Sequence, residues 1–407
     1  MPQLETNQPC QITVDKWVYG GRGFGRLEGR AVLVPFVLPG EVVGVEIERE
    51  KPGLLEAGLT EVVSPSPQRV APPCPYFGRC GGCHYQQAGY DFQLAGKVEV
   101  LRDVLRRVGK LEAPEEIDTI AASPWEYRNR AQFHLAGGAI GYQEAGSNRL
   151  CPVDRCPISS PGINRALAAL CVMIKDQRFP RFVRSLELFT NESEVQVNVR
   201  EADRPVARHF FDWCAESIPG AAAGCLDYSA AGHQFRVGHR SFFQVNRFLT
   251  DKLVERALEG AEGETALDLY AGVGLFSLPL ARRFRSVTAV ESGTSAVHDL
   301  EFNAARAALE VKTEKATVET YLEGLAQPPD FVLADPPRTG LGKAVVRELI
   351  RIKPPRLTII ACDPATLARD LGPLTAAGYR IQRLTLIDLF PQTYHIETAV
   401  DLRLLSA

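Results

Sequence analysis

The sequence predicts an α/β protein. A Rossmann-like, doubly wound domain lies at the C-terminal end, preceded by a small β-barrel and a central mixed α/β domain. Three observations predict it. From about Ser241 onward, apolar strand-like runs alternate strictly with amphipathic helical stretches, which implies an open parallel sheet with helices on both faces. Residues 10 to about 62 instead alternate apolar and polar positions in short runs punctuated by G-G-R-G-F-G-R and L-P-G-E, the pattern of a small all-β barrel. Between the two, S-P-S-P-Q-R-V-A-P-P-C-P reads as a semi-rigid linker and sets a first boundary near residue 64. The expected domains are 1–64, 65–240 and 241–407.

The elements follow in order. Gln11 to Val18, Ala31 to Val37 and Glu41 to Ile47 are the clearest barrel strands. A barrel of this size suits oligonucleotides, with Arg22, Arg26, Arg30 and Phe24 as candidate contacts to phosphates and bases; a solvated loop is the alternative. Lys97 to Gly109 has helical spacing, whereas Tyr127 to Tyr142 and Phe182 to Arg200 alternate as strands. The C-terminal series runs helix Asn246 to Ala257, strand Thr265 to Leu269, a helix reaching Phe284, strand Ser286 to Val290 and a helix through Asn303 to Leu309. Strand Phe331 to Ala334, helix Lys343 to Arg351, strand Leu357 to Ala361, a further helix and two strands complete it.

A chain of 407 residues is too long for one ordinary core, and 45% hydrophobic with 23% charged residues is a soluble globular composition. The start M-P-Q-L-E-T-N-Q-P-C has neither a basic nor an apolar leader region, and no apolar run approaches a membrane span. A cytoplasmic protein without membrane association is expected, with a monomer as default. The net charge of -3 argues against a generally basic nucleic-acid coat but leaves local patches open. Ten cysteines without an export signal point to thiols, metal ligation or catalysis rather than disulfides.

The chemistry concentrates at predicted strand ends. A-L-D-L-Y-A-G-V-G-L-F follows a strand and opens a helix, so Gly272 and Gly274 allow a nucleotide-like ligand close to the backbone. A dinucleotide fingerprint wants a third glycine where this chain has Ser277. Asp268 with Glu291, which can accept from two ribose hydroxyls, is the pairing of S-adenosylmethionine sites in class I methyltransferases. Asp335 to Arg338, D-P-P-R, ends another strand. Enzymes that methylate exocyclic amines place an aromatic residue where Arg338 stands, so a different target atom is favoured.

Cys362, in L-T-I-I-A-C-D-P-A-T-L-A-R-D, joins a strand to a helix start. Asp363 is a good N-cap and Pro364 a good first helical residue, so the helix dipole is expected to lower the thiol pKa; a buried strand-end cysteine is the alternative. Uracil C5 is a poor nucleophile until a thiolate adds at C6, after which a carboxylate must take the C5 proton. Cys362 supplies the thiol and Glu397, in F-P-Q-T-Y-H-I-E, the candidate base.

The segments F-F-Q-V-N, D-L-Y-A-G-V-G-L-F, A-D-P-P-R-T-G, A-C-D-P-A-T-L-A-R-D and F-P-Q-T-Y-H-I-E resemble, in order and spacing, the RNA uracil-5-methyltransferase family. The resemblance covers nearly the whole chain, since the barrel looks like a TRAM domain. It implies that Gln244, Tyr270, Glu291 and Asp335 contact S-adenosylmethionine, that Cys362 is the nucleophile and that Glu397 is the base. Two positions depart from the usual pattern, Leu275 and Asp363, where members often have Asn. His395, two residues before Glu397, is a candidate for orienting substrate or an ordinary packed residue.

Cys74, Cys80 and Cys83 form C-x5-C-x2-C on a Gly- and Pro-rich loop, with Cys151 and Cys156 as later candidates. Four thiolates suit a [4Fe-4S] cluster or tetrahedral zinc. The resemblance implies the iron-sulfur cluster, with Cys156 as fourth ligand. Cys10, Cys171, Cys214 and Cys225 read as ordinary residues. Barrel and cluster together look like the enzymes acting on ribosomal RNA, the expected partner. Transfer RNA is the alternative substrate; an amine-directed methylase and a non-catalytic RNA-binding relic are the competing readings.

Overall fold

The computed structural model describes residues 10–222 and 224–405. The chain divides into two compact units, the first formed by residues up to Asp103 together with Tyr142–Cys151 and Phe390–His395, the second by Val104–Gly141, Pro152–Leu389 and Ile396 onward.

Alternating valines drive the first unit. Strands Cys10–Val18, Arg22–Leu27, Arg30–Pro35, Val42–Lys51 and Leu54–Ser64 close into a five-stranded barrel. Their inward positions, among them Val14, Val32, Val34, Val45 and Leu55, form its core. Gly23 lets that core close, because a Cβ there would sit 2.3 Å from Val37 Cγ2. Trp17 seals one side by stacking on Tyr85 at 4.3 Å and donating from Nε1 to the Val37 carbonyl at 2.7 Å.

Helix Tyr90–Val104 begins earlier than its spacing suggests and ends in a π-helical turn, Leu105–Gly109. Gln93 on this helix is buried and reaches the Phe390–His395 segment, donating from Nε2 to Gln392 Oε1 at 3.0 Å and accepting from the Gln392 amide at 3.2 Å. Lys97 Nζ donates to the Phe390 carbonyl at 3.0 Å.

A six-stranded sheet has the order Ala221–Ala222, Val195–Ala202, Val183–Thr190, Arg130–Ala136, Ala139–Gln143, Leu150–Pro152. The hairpin Leu226–Ala230/His233–Val237 follows. An eight-stranded sheet carries the expected nucleotide-binding topology, in the order Lys312–Lys315, Phe284–Glu291, Gly263–Leu269, Phe331–Ala334, Arg356–Ala361, Glu397–Leu404, Tyr379–Ile387, Asp118–Ile120.

This sheet corrects the expected purely parallel one. Its first five strands are mutually parallel, but Glu397–Leu404 runs antiparallel to both Arg356–Ala361 and Tyr379–Ile387. A parallel return needs a long crossover, and residues 388–396 contain no helix to make one. Three local expectations also shift. The helix after the cofactor loop is only Ser277–Leu280, and Phe284 already begins the next strand. The preceding helix starts at Thr250, because Asn246 Oδ1 accepts from the Phe248 amide and holds that stretch as a turn. The edge strand Lys312–Lys315 escaped notice because K-T-E-K has no apolar face to betray it.

Candidate active site

Five strand ends place the chemistry. Asp268, Glu291, Asp335 and Cys362 lie at or just past the carboxyl ends of parallel strands. Glu397 is the first residue of its strand, yet the antiparallel register pairing Ala361 with Thr398 sets it opposite Cys362. Thr398 Oγ1 donates to the Ala361 carbonyl at 3.1 Å and fixes that register.

The environment of the pair is acidic and dry. Glu397 is buried, and burial first, then the Asp335 charge, push its carboxyl well above the usual carboxylate range, with Arg338 opposing. Burial also lifts Asp335 to about 7. Cys362 is pushed up to about 12, by burial first and then by Glu397 and Asp335; Arg338 pulls it down. The expected lowering by the helix dipole is therefore outweighed, and the resting thiol is protonated. Asp363 is the N-cap its sequence position suggests. Its Oδ1 accepts from the Ala365 and Thr366 amides at 2.9 Å, capping helix Pro364–Ala376.

The same helix fixes the D-P-P-R-T-G loop. Asp370 Oδ2 accepts from the Leu341 amide at 2.8 Å, and Arg369 donates to the Thr339 carbonyl at 2.8 Å. Gly340 is required there, having φ 73° and a would-be Cβ 2.5 Å from Asp370 Oδ2. Arg338 thus stands on a pinned loop whose position couples its charge to both the thiol and Glu397. Sequence reading used it only as a contrast to an aromatic residue.

The cofactor loop is cradle-like. Tyr270, Gly272 and Gly274 all have left-handed backbones, at φ 63°, 56° and 93°. A Cβ at Gly272 would meet nothing within 4 Å, whereas at Gly274 it would press on Leu278 Cδ1 at 2.9 Å. Glu291 is held by the Gly272 and Gly293 amides at 2.9 and 2.6 Å. Ser277, standing where a dinucleotide fingerprint has glycine, donates its hydroxyl to Asp268. Asp268 Oδ1 is buried without a partner, and burial raises that carboxyl to about 7. An open backbone approach, a positioned strand-end carboxylate and an orphaned buried oxygen fit a ligand that is both cationic and rich in hydroxyls.

Gln244 lies in an irregular loop, not at a helix start, and is buried. Helix Thr294–Arg306 ties this loop to the cofactor loop, a link invisible in the sequence. Asp299 Oδ2 accepts from the Gly238 amide at 2.8 Å and Ser241 Oγ at 2.6 Å, while Asn303 Nδ2 donates to the Val273 carbonyl at 3.0 Å. Leu275 is buried and packs.

Most other candidates belong to the first unit. His395 belongs to the first unit, its ring 4.4 Å from Tyr394 and 5.5 Å from Phe390. In the barrel, Arg22 lies 3.6 Å from Glu56 and Arg30 2.6 Å from Glu50, so both face carboxylates, while Arg26 lies over the Phe24 ring at 5.6 Å. Cys74 and Cys80 flank a turn, with the Cys80 amide donating to the Tyr76 carbonyl at 2.8 Å and the Phe77 amide to the Cys74 carbonyl at 3.1 Å, and Cys83 follows just after it. Cys156 is in the second unit. Among the described residues no three His, Cys, Asp or Glu side chains gather closely enough to hold a metal ion.

Comparison with known proteins reads the same arrangement. Residues 226–404 match the tRNA (Uracil-5-)-methyltransferase family and residues 4–60 the TRAM domain. An uncharacterized RNA methyltransferase of Aquifex aeolicus is 33% identical over 96% of this chain and 98% of its own length. A 23S rRNA (uracil(1939)-C(5))-methyltransferase of Halomonas elongata is 33% identical over 95% of this chain and 88% of its own. The chain belongs to the RNA uracil-5-methyltransferase family. The crystal structure of Pyrococcus abyssi tRNA (uracil-54, C5)-methyltransferase in complex with S-adenosyl-L-homocysteine superposes with a TM-score of 0.74 at 26% identity, covering 96% of this chain and all of that one. This protein is accordingly an S-adenosylmethionine-dependent RNA (uracil-C5)-methyltransferase, which sets aside the amine-directed and non-catalytic readings. None of its described helices is long and apolar enough to cross a membrane.

Proposed function

We propose that this enzyme forms 5-methyluridine in 23S ribosomal RNA, with Cys362 as nucleophile and Glu397 as base. The observation that carries this reading is the facing of Cys362 and Glu397 across antiparallel strands, beside Asp335. A target uridine, turned out of its stack, presents C6 to the thiol. The Cys362 thiol gives up its proton to solvent, its sulfur adds to C6 as a thiolate, which the Arg338 guanidinium favours, and the ring electrons gather at C5 and O4. S-adenosylmethionine supplies the methyl group to C5. Glu397, as carboxylate, then takes the C5 proton, the C5–C6 double bond re-forms, and the thiolate is expelled. Gln244, Tyr270, Glu291 and Asp335 are the proposed cofactor contacts.

RNA containing 5-fluorouridine tests the assignment, because fluorine cannot leave as a proton and the adduct persists. Wild type is expected to give a denaturant-resistant complex, and Cys362→Ala none; equal trapping by both would sink the mechanism. For the substrate, the 33% identity to the ribosomal RNA enzyme of Halomonas elongata supports ribosomal RNA. Transfer RNA is the second reading, supported by the whole-chain superposition on the Pyrococcus abyssi enzyme. Mapping methylated uridines in both RNAs from a deletion strain decides between them.

The C-x5-C-x2-C spacing of Cys74, Cys80 and Cys83 supports a [4Fe-4S] cluster with Cys156 as fourth ligand. No catalytic step passes through it, and its role is structural or RNA-positioning. Brown protein with iron and sulfide in equal amounts is expected after anaerobic purification, bleached in Cys80→Ser; colourless protein with stoichiometric zinc would contradict it. The proposed setting is a cytoplasmic monomer, residues 1–64 binding RNA, residues 65–240 forming the central α/β domain with the cluster and residues 241–407 carrying the chemistry.

A further inference from the structure

A groove of about 780 Å³ runs between strand Val195–Ala202 and helix Arg208–Ser217, in a part of the second unit that no role above uses. Its floor is apolar, with Val197 and Cys214 buried. Its rim is cationic: Arg200, Arg208 and Arg240 are all exposed, and Asp212, 3.9 Å from Arg208, is the only carboxylate among the described residues lining it. This is unusual for a chain of net charge -3. Nearby arginines are neutralised, Arg184 by Asp203 at 2.6 Å and Arg130 by Glu187 at 2.8 Å, whereas Arg200 and Arg240 have no partner among the described residues.

The groove is also built rigidly. His239 and Arg240 sit between two fixed points, since the Gly238 amide and the Ser241 hydroxyl both donate to buried Asp299. The Ser241 carbonyl accepts from Arg130 at 2.9 Å, Arg130 pairs with Glu187, and Glu187 accepts from Asn198 Nδ2 at 3.2 Å. Asn198 lies in the groove itself. Wall and floor therefore share one buried network, and Arg240 stands four residues before Gln244 on the same clamped loop.

Resting on the reading of this chain as an RNA uracil methylase, we propose that this groove carries the phosphodiester backbone of the RNA substrate, with Arg200, Arg208 and Arg240 as phosphate contacts. Guanidinium groups match phosphate oxygens in fork geometry, and an apolar floor accepts sugar and base faces without competing for the phosphates. An acidic protein segment is the rival occupant.

The test uses the full-length enzyme with Arg200→Glu/Arg208→Glu, on whichever of large-subunit ribosomal RNA and transfer RNA transcripts the wild type methylates. Expected are an RNA affinity lower by on the order of tenfold or more, a log–log salt slope shallower by about two, and a raised KM for RNA with kcat at saturating RNA kept. S-adenosylmethionine affinity and melting temperature, unchanged, show that the variant folds. Arg200→Lys/Arg208→Lys is expected to stay near wild type. Unchanged RNA affinity and salt slope in the Glu variant overturn the proposal, including the case where the groove serves a protein. Failure of the 5-fluorouridine trap in wild type would instead strike the underlying function while leaving the affinity readout intact.

Discussion

As the proposed nucleophile, the Cys362 thiol carries a contradiction. Burial, Glu397 and Asp335 hold it protonated, pushed up to about 12, while Arg338 works the other way. In the RNA-free enzyme, alkylation of Cys362 by iodoacetamide is therefore expected to be slow at neutral pH and to rise as pH climbs towards about 12. Arg338→Ala moves that rise to still higher pH, because it removes a cation favouring the thiolate; peptide mass spectrometry across a pH series reads it. A rate already on its plateau at pH ~7 would show that the helix dipole wins after all. Glu397→Gln separates the two halves of the chemistry. Addition and methyl transfer proceed but the C5 proton stays, so the variant should accumulate a denaturant-resistant adduct with ordinary RNA, seen as a shifted band on a denaturing gel.

Whole strands, rather than single residues, put these groups together. Strand-end carboxylates are held against burial, Asp268 being raised to about 7 from an ordinary 3.8. A carboxyl whose folded pKa is raised favours the folded state at low pH and loses that contribution as pH rises through the folded value. The melting temperature of the cofactor-free enzyme should therefore carry a downward component between pH about 4 and about 7, which Asp268→Asn flattens; calorimetry across that range checks it. Asp363→Ala removes the cap of helix Pro364–Ala376 and is expected to cost about 1 kcal/mol in denaturant unfolding.

At this scale the sequence was legible where periodicity is strong. Phe331–Ala334 and the helix over Lys343–Arg351 stand almost where their patterns put them. It was misleading where strand direction matters, because antiparallel and parallel strands share the same alternation. Glu397 stands opposite Cys362 only because its strand reverses. The Asp299 and Asn303 clamps, and the pull of Arg338, depend on contacts across dozens of residues that no local pattern encodes.

The chain as a whole is interleaved. The Phe390–His395 segment belongs to the first unit, while Leu389 and Ile396 on either side belong to the second. Gln93 anchors it through Gln392, so Gln93→Ala should leave buried groups unsatisfied at roughly 1–3 kcal/mol and speed amide exchange across residues 390–395. Mass spectrometry of exchanged peptides reads this directly, and unchanged protection there would refute the anchoring. Val42–Lys51 and its barrel neighbours, by contrast, answer to their own core. There Leu55→Ala is expected to destabilise by about 2–5 kcal/mol, measured by urea unfolding, with S-adenosylmethionine affinity unaffected in the fraction that remains folded. The excursion of residues 390–395 also limits how the protein can be cut. No single scission of the polypeptide yields two self-sufficient halves, since the last stretch made by the ribosome before Glu397 must find a seat on chain made hundreds of residues earlier. Glu397, the proposed base, follows directly on that stretch, so a nascent chain, or one clipped ahead of residue 390, could bind RNA without being able to complete a methylation.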